Sequence, residues 1–214
     1  MDSGNIGFVL LCAAFVFVMT PGLAMFYGGL VRKKNVVNTM MTSIFIIGVG
    51  IVMWVLFGYS LSFAPSGNAF IGDFRWLGLE GVSLTEGYTD DASIPNMVFS
   101  AFQMMFAVIT PALITGAVAG RMKFKSIFVF TIFWSLIVYY PLAHMVWGQG
   151  GLLGADGIGA LDFAGGDVVH ISSGVSALVL CILLGKRHDY EHSIYRIHNI
   201  PTVVLGASLL MFGW

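Results

Sequence analysis

The chain has 214 residues, 57% of them hydrophobic and only 10% charged, with a formal net charge of −1. An ordinary soluble domain carries roughly 25% charged residues, so this chain lacks the polar surface that would keep it in water. No Lys/Arg cluster is large enough to form a nucleic-acid footprint, and nucleic-acid partners are excluded.

In chain order the uncharged runs cover residues 3–31, 35–72, 92–120, 126–155, 168–185 and 197–214. A helix needs about 20 predominantly apolar residues to cross a hydrocarbon core of roughly 30 Å. The pattern predicts an all-α integral membrane protein, a polytopic helical bundle with five full spans and the start of a sixth. Residues 1–214 read as a single transmembrane domain without a linker. The N-terminus lacks the positive region of a secretory signal, so the first span is expected to be retained.

Nine of the ten basic residues lie between alternate spans: Arg32, Lys33 and Lys34, then Arg121, Lys123 and Lys125, then Lys186, Arg187 and Arg196. Most acids, including Asp73, Glu80, Glu86, Asp90, Asp91, Asp162 and Asp167, lie on the opposite connections. The positive-inside rule then places the basic connections in the cytoplasm and the N-terminus outside. The outer segment 64–93 is rich in turn residues and reads as a short surface excursion. Pro21, Pro111 and Pro141 each remove a backbone donor from a span and are expected to bend it or be locally re-satisfied. Cys12 and Cys181 fall in apolar runs and read as packing residues.

Ionisable side chains inside a span are costly and point to function by default. His144, near the outer end of the fourth span, and His170, well inside the fifth, qualify. If Asp162 caps the fifth helix, a rise of 1.5 Å per residue puts His170 roughly 12 Å deep. A neutral imidazole there can line a path for a small hydrogen-bonding molecule, or it can simply bond a neighbouring helix. Phe102 and Phe106, four residues apart, share a helix face, where their rings are expected to stack, and Trp147 sits at the outer end of the fourth span. Such a group can hold a small cation by cation–π attraction, or it can be interfacial packing. Asp162 can likewise cap its helix, stabilise a cation, or do both. His188, His192 and His198 share a cytoplasmic loop with Asp189 and Glu191, but no spacing there is diagnostic of a metal, and a solvated loop is the preferred reading. No nucleophile–base set accompanies the intramembrane histidines, no phosphate loop is present, and no enzyme activity, cofactor or metal is expected.

The run Thr20-Pro21-Gly22-Leu23-Ala24-Met25-Phe26-Tyr27-Gly28-Gly29-Leu30-Val31-Arg32-Lys33-Lys34-Asn35 resembles the first-helix exit of the ammonium transporter (Amt/Mep/Rh) family. The resemblance continues through Ala143-His144-Met145-Val146-Trp147-Gly148 and Leu161-Asp162-Phe163-Ala164-Gly165-Gly166-Asp167-Val168-Val169-His170, and it favours the Amt branch. It implies ammonium/ammonia transport, with methylammonium as an analogue. Trp147, Phe106 and Phe102 would form the outer recruiting site, Phe106 half of a phenyl gate, Asp162 the acid supporting recruitment and deprotonation, and His170 the first of two pore histidines. It further implies the first half of an inverted-repeat protein of about eleven spans, a homotrimer in the cell membrane surrounded by lipid, and a possible PII-type regulator at the cytoplasmic face. An ammonium sensor that binds without significant transport is the alternative.

Overall fold

The structure is a computed structural model describing residues 1–65, 67–155, 157–187 and 196–214. Among the described residues, five helices are long and apolar enough to cross a membrane: α1 (Ser3–Leu30), α2 (Lys33–Phe63), α3 (Asn96–Val118), α4 (Phe124–Trp147) and α5 (Gly166–Leu184). A shorter apolar helix, α6 (Ile200–Gly213), follows. No strand occurs among the described residues. The expected bundle of five spans and the start of a sixth is therefore observed. His188, Asp189, Glu191 and His192, considered above as metal ligands, lie outside the described residues.

Helix starts follow capping chemistry. The Asp2 carboxylate accepts the Asn5 N–H at 2.7 Å, and the Asn199 side chain accepts the Thr202 N–H at 3.0 Å, with Pro201 in the first turn where its missing donor costs nothing. α1 and α3 run unbroken through Pro21 and Pro111. α4 instead widens into a π turn over Ser135–Tyr139, two residues before Pro141, where the Tyr140 N–H bonds the Ser135 carbonyl five residues back. α2 has a π turn at Trp54–Gly58 and α5 begins with one at Gly166–Ile171.

α1 packs against α2, α3 and, most extensively, α6. The α1–α6 contact is antiparallel and nearly backbone to backbone. A Cβ on Gly206 would lie 2.4 Å from Phe26 N, and one on Gly29 would lie 2.8 Å from Asn199 O. In a bilayer, where helices gain nothing by hiding apolar surface from lipid, this close approach of small residues supplies the attraction. The remaining core divides in two. One part joins Met19, Leu23, Ile109 and Val118 of α1 and α3. The other is an aromatic layer at the acid-rich end, the outer end by the positive-inside rule, in which Trp54, Tyr59, Phe63, Tyr139 and Tyr140 are all at most 1% exposed.

α2 stops at Phe63, where the outer segment was expected to begin, and the chain doubles back so that Gly72 N–H meets the Leu61 carbonyl at 2.7 Å. Only glycine fits there, because a Cβ would lie 2.3 Å from Ser60 O. One expectation about the outer end is corrected: the segment after Phe63 is not merely a surface excursion. Ser60 Oγ donates to Asp73 O (2.7 Å) and accepts from Trp76 N (3.0 Å), and the Trp76 ring stacks on Tyr59 at 5.4 Å. His144 completes the clamp. It is fully buried, with Nδ1 3.1 Å from Ser62 O and Nε2 2.8 Å from Asn68 O; a neutral imidazole has one N–H to donate to one of these carbonyls, and the ring is wedged between the two arms of this segment's turn.

Candidate functional site

At the outer end a cavity of about 780 Å³ opens between α1, α3, α4, α6 and the α4–α5 connection. Phe102, Phe106, Trp147 and Asp162 all line it. The helical spacing of the two phenylalanines brings their rings to 5.1 Å, but at 81°, so they meet edge to face instead of stacking as expected. That arrangement sets the positive edge of one ring against the negative face of the other.

Asp162 is placed by local chemistry. Its Oδ1 accepts Gly166 N–H at 2.7 Å, and its Oδ2 accepts Asp167 and Val168 N–H at 2.9 Å each. Three orphan donors of the α5 first turn are thereby satisfied by one carboxylate at the positive end of the helix. The turn that returns the side chain over its helix passes through Gly165 at φ +83°, a left-handed conformation that favours glycine. The Asp162 carbonyl in turn accepts Trp147 Nε1–H at 3.1 Å, which orients the indole on the cavity wall.

Because the cap reaches across residues 163–165, α5 starts at Gly166 and not at Asp162. Four helical residues rather than eight lie above His170, a rise of about 6 Å and not 12 Å. His170 is exposed and does not line the cavity; it meets it through Trp214, which does, with ring centroids 5.0 Å apart.

The sequence reading missed several parts of this wall. Tyr88, from the outer segment, stacks on Phe99 at 4.8 Å and 6°, and is tied to the α4–α5 connection twice: Gln149 N–H donates to its hydroxyl at 3.1 Å and Gln149 Nε2 to its carbonyl at 2.9 Å. Burial pushes the Tyr88 hydroxyl up to about 12, so it meets Gln149 as a neutral phenol. Cys12, read as packing, lines the cavity from α1 beside Phe15. Cys181, at the basic end, packs under Arg121, whose Nη2 lies 2.9 Å from its sulfur. Among the described residues, no three His, Cys, Asp or Glu side chains are grouped as a metal site would need.

Residues 7–214 match the model of the Ammonium Transporter Family. The chain belongs to that family. It is 51% identical over 214 residues to the ammonium transporter of Bacillus subtilis (strain 168), covering all of this chain and 51% of the relative. It is 44% identical to that of Aquifex aeolicus (strain VF5), covering 100% and 49%. Among solved structures, Candida albicans Mep2 superposes with a TM-score of 0.88 at 34% identity, over 100% of this chain and 47% of Mep2. A structure described as a sensor Amt protein superposes with a TM-score of 0.82 at 27% identity, over 98% and 52%. This ammonium transporter family chain thus spans about half the length of the relatives it matches, and it is a multi-pass membrane protein.

Proposed function

We propose that the protein to which this chain belongs moves ammonium, or ammonia derived from it, across the cell membrane, acting as a transporter and not an enzyme. The observation that carries this reading is the outer cavity. In a chain of this family, an indole face, an edge-to-face phenylalanine pair and a carboxylate converge on one space wide enough for a small cation. Trp147 and Phe106, with Phe102 beside them, attract the cation by cation–π contact, worth about 0.5–2 kcal/mol each. Asp162 contributes negative charge at the rim while its oxygens hold the α5 start, and it supports deprotonation. The crossed rings of Phe102 and Phe106 form a hydrophobic constriction, with Phe106 as the gate, that opposes a hydrated ion. His170 takes the proton-relay or hydrogen-bonding position past it.

Residues 1–214 act as one transmembrane domain in this account, within a homotrimer. The basic inner connections, with Arg32, Lys33, Lys34, Lys186 and Arg187, suit a PII-type regulatory partner as well as they satisfy topology.

The test is reconstitution of the complete protein in liposomes and measurement of ammonium-evoked current, with methylammonium as analogue, for the parent, Trp147→Leu and His170→Ala. Current in the parent that falls in both variants is expected. Saturable ammonium binding with no flux in the parent overturns the transport reading in favour of a receptor.

A further inference from the structure

We propose that Gln103 is a substrate-contacting residue of the outer site, its amide oxygen accepting an N–H of the bound cation beside the phenylalanine pair. The proposal rests on the ammonium reading above and deepens it.

Ammonium brings four N–H donors into the cavity. Aromatic faces balance its charge but accept hydrogen bonds poorly, so a selective site also needs acceptors with capacity to spare. Those on the wall are mostly committed. The Asp162 carboxylate serves three backbone N–H groups, and Trp147 Nε1, a donor only, is spent on the Asp162 carbonyl. The Tyr88 hydroxyl already accepts from Gln149, and Thr89 sits at the exposed rim.

Gln103 differs from these. It lines the same cavity from α3, one residue after Phe102 and three before Phe106. Its Oε1 is shielded from water and has no hydrogen-bond partner in the structure. An acceptor in that state carries a desolvation cost that an arriving donor relieves. The terminal torsion of a glutamine is broad and roughly two-fold, so the oxygen turns toward a guest without moving the helix. A residue kept merely to pack α3 against α1 would be better served by methionine, which fills the same space with no polar atom to satisfy.

The contrast between a donor-bearing and a donor-free cation tests the assignment. Gln103→Met and Gln103→Glu are made in the complete protein, and two quantities are measured: half-saturation by ammonium, and inhibition by tetramethylammonium, which offers charge but no N–H. Gln103→Met is expected to raise half-saturating ammonium about tenfold or more, as befits a lost hydrogen bond to a charged group. Tetramethylammonium inhibition stays at the parental level. Gln103→Glu keeps an acceptor and half-saturates at or below the parental concentration. Unchanged ammonium affinity in Gln103→Met overturns the proposal, as does an equal loss for both cations. If Gln103→Met does not assemble, weaker ammonium affinity in Gln103→Glu overturns it instead. Ammonium binding read from tryptophan fluorescence separates the two claims: a parent that passes no current defeats the transport reading, whereas equal binding by parent and Gln103→Met defeats this one.

Discussion

Replacing Asp162 by alanine removes the acceptor of three N–H bonds, from Gly166, Asp167 and Val168, at 2.7, 2.9 and 2.9 Å. A single N-cap is worth about 1 kcal/mol, up to roughly 2. A negative charge at the first turn adds about 0.3–1 kcal/mol. With three donors orphaned together, the expected local cost is about 2–4 kcal/mol, which raises the opening equilibrium of the α5 start roughly 30- to 1,000-fold. Asp162→Asn keeps one acceptor oxygen and falls between alanine and the parent. Hydrogen exchange of the amides of residues 166–168, measured in the complete protein, reads this directly, with ammonium current recorded on the same samples. Faster exchange and lost current are expected together, because the Asp162 carbonyl that orients Trp147 moves with the cap. Parental exchange in Asp162→Ala alongside vanished current refutes the reasoning: the acid would then act on the cation without holding the helix.

Three further outcomes follow from the same geometry. Gly165→Ala puts a side chain at φ +83° and a Cβ 2.8 Å from Val169 Cγ2, so a cost of about 1–3 kcal/mol is expected as a lowered melting midpoint; an unchanged midpoint means the turn relaxes. Burial raises the Tyr88 hydroxyl to about 12 against an ordinary value near 10, so the stability tied to the neutral phenol is complete below about pH 10 and is lost as pH rises toward 12. Tyr88→Phe should flatten that alkaline loss in a melting series, and an equally steep series in the variant rejects the assignment. On the outer surface, the Arg75 guanidinium, bonded to Asp73 at 2.7–2.8 Å, holds that carboxyl below the usual range. Its small contribution is complete above about pH 4 and fades as pH falls below that. In Arg75→Ala the Asp73 resonance should titrate at higher pH in a carbon-13 NMR experiment, and an unmoved titration would show that the ion pair is idle in solution.

The spans were legible because a bilayer imposes one rule, absence of charge over about 20 residues, that five runs meet and a sixth begins to. Asp162 was legible as a cap because aspartate before a helix has a specific local job. What escaped the reading depends on contacts far apart in the chain. Turn residues marked 64–93 as an outer excursion but not its anchoring, in which Gly72 turns back on Leu61 and His144 reaches Asn68 across 76 positions. His144, marked in the sequence only as an ionisable group inside a span, is a clamp. The four-residue spacing of Phe102 and Phe106 announced contact but not the 81° between their rings. Tyr88 and Gln149 were silent because neither has a neighbour that marks it; only their meeting does. The depth of His170 was misjudged by counting helix from the capping residue, when the cap spans a three-residue bend.

The π turns in α2, α4 and α5 carry an evolutionary consequence. Each packs one surplus residue into a turn of otherwise regular helix. Deleting a single residue elsewhere in a span swings every later side chain about 100° around the axis and carries its buried face into lipid. Deleting one residue of Trp54–Gly58 or Ser135–Tyr139 absorbs the change on the spot and leaves Tyr59, Phe63 and His144 facing as before. These turns are the places where membrane helices of this architecture can gain or lose a codon without rewriting the helix that follows.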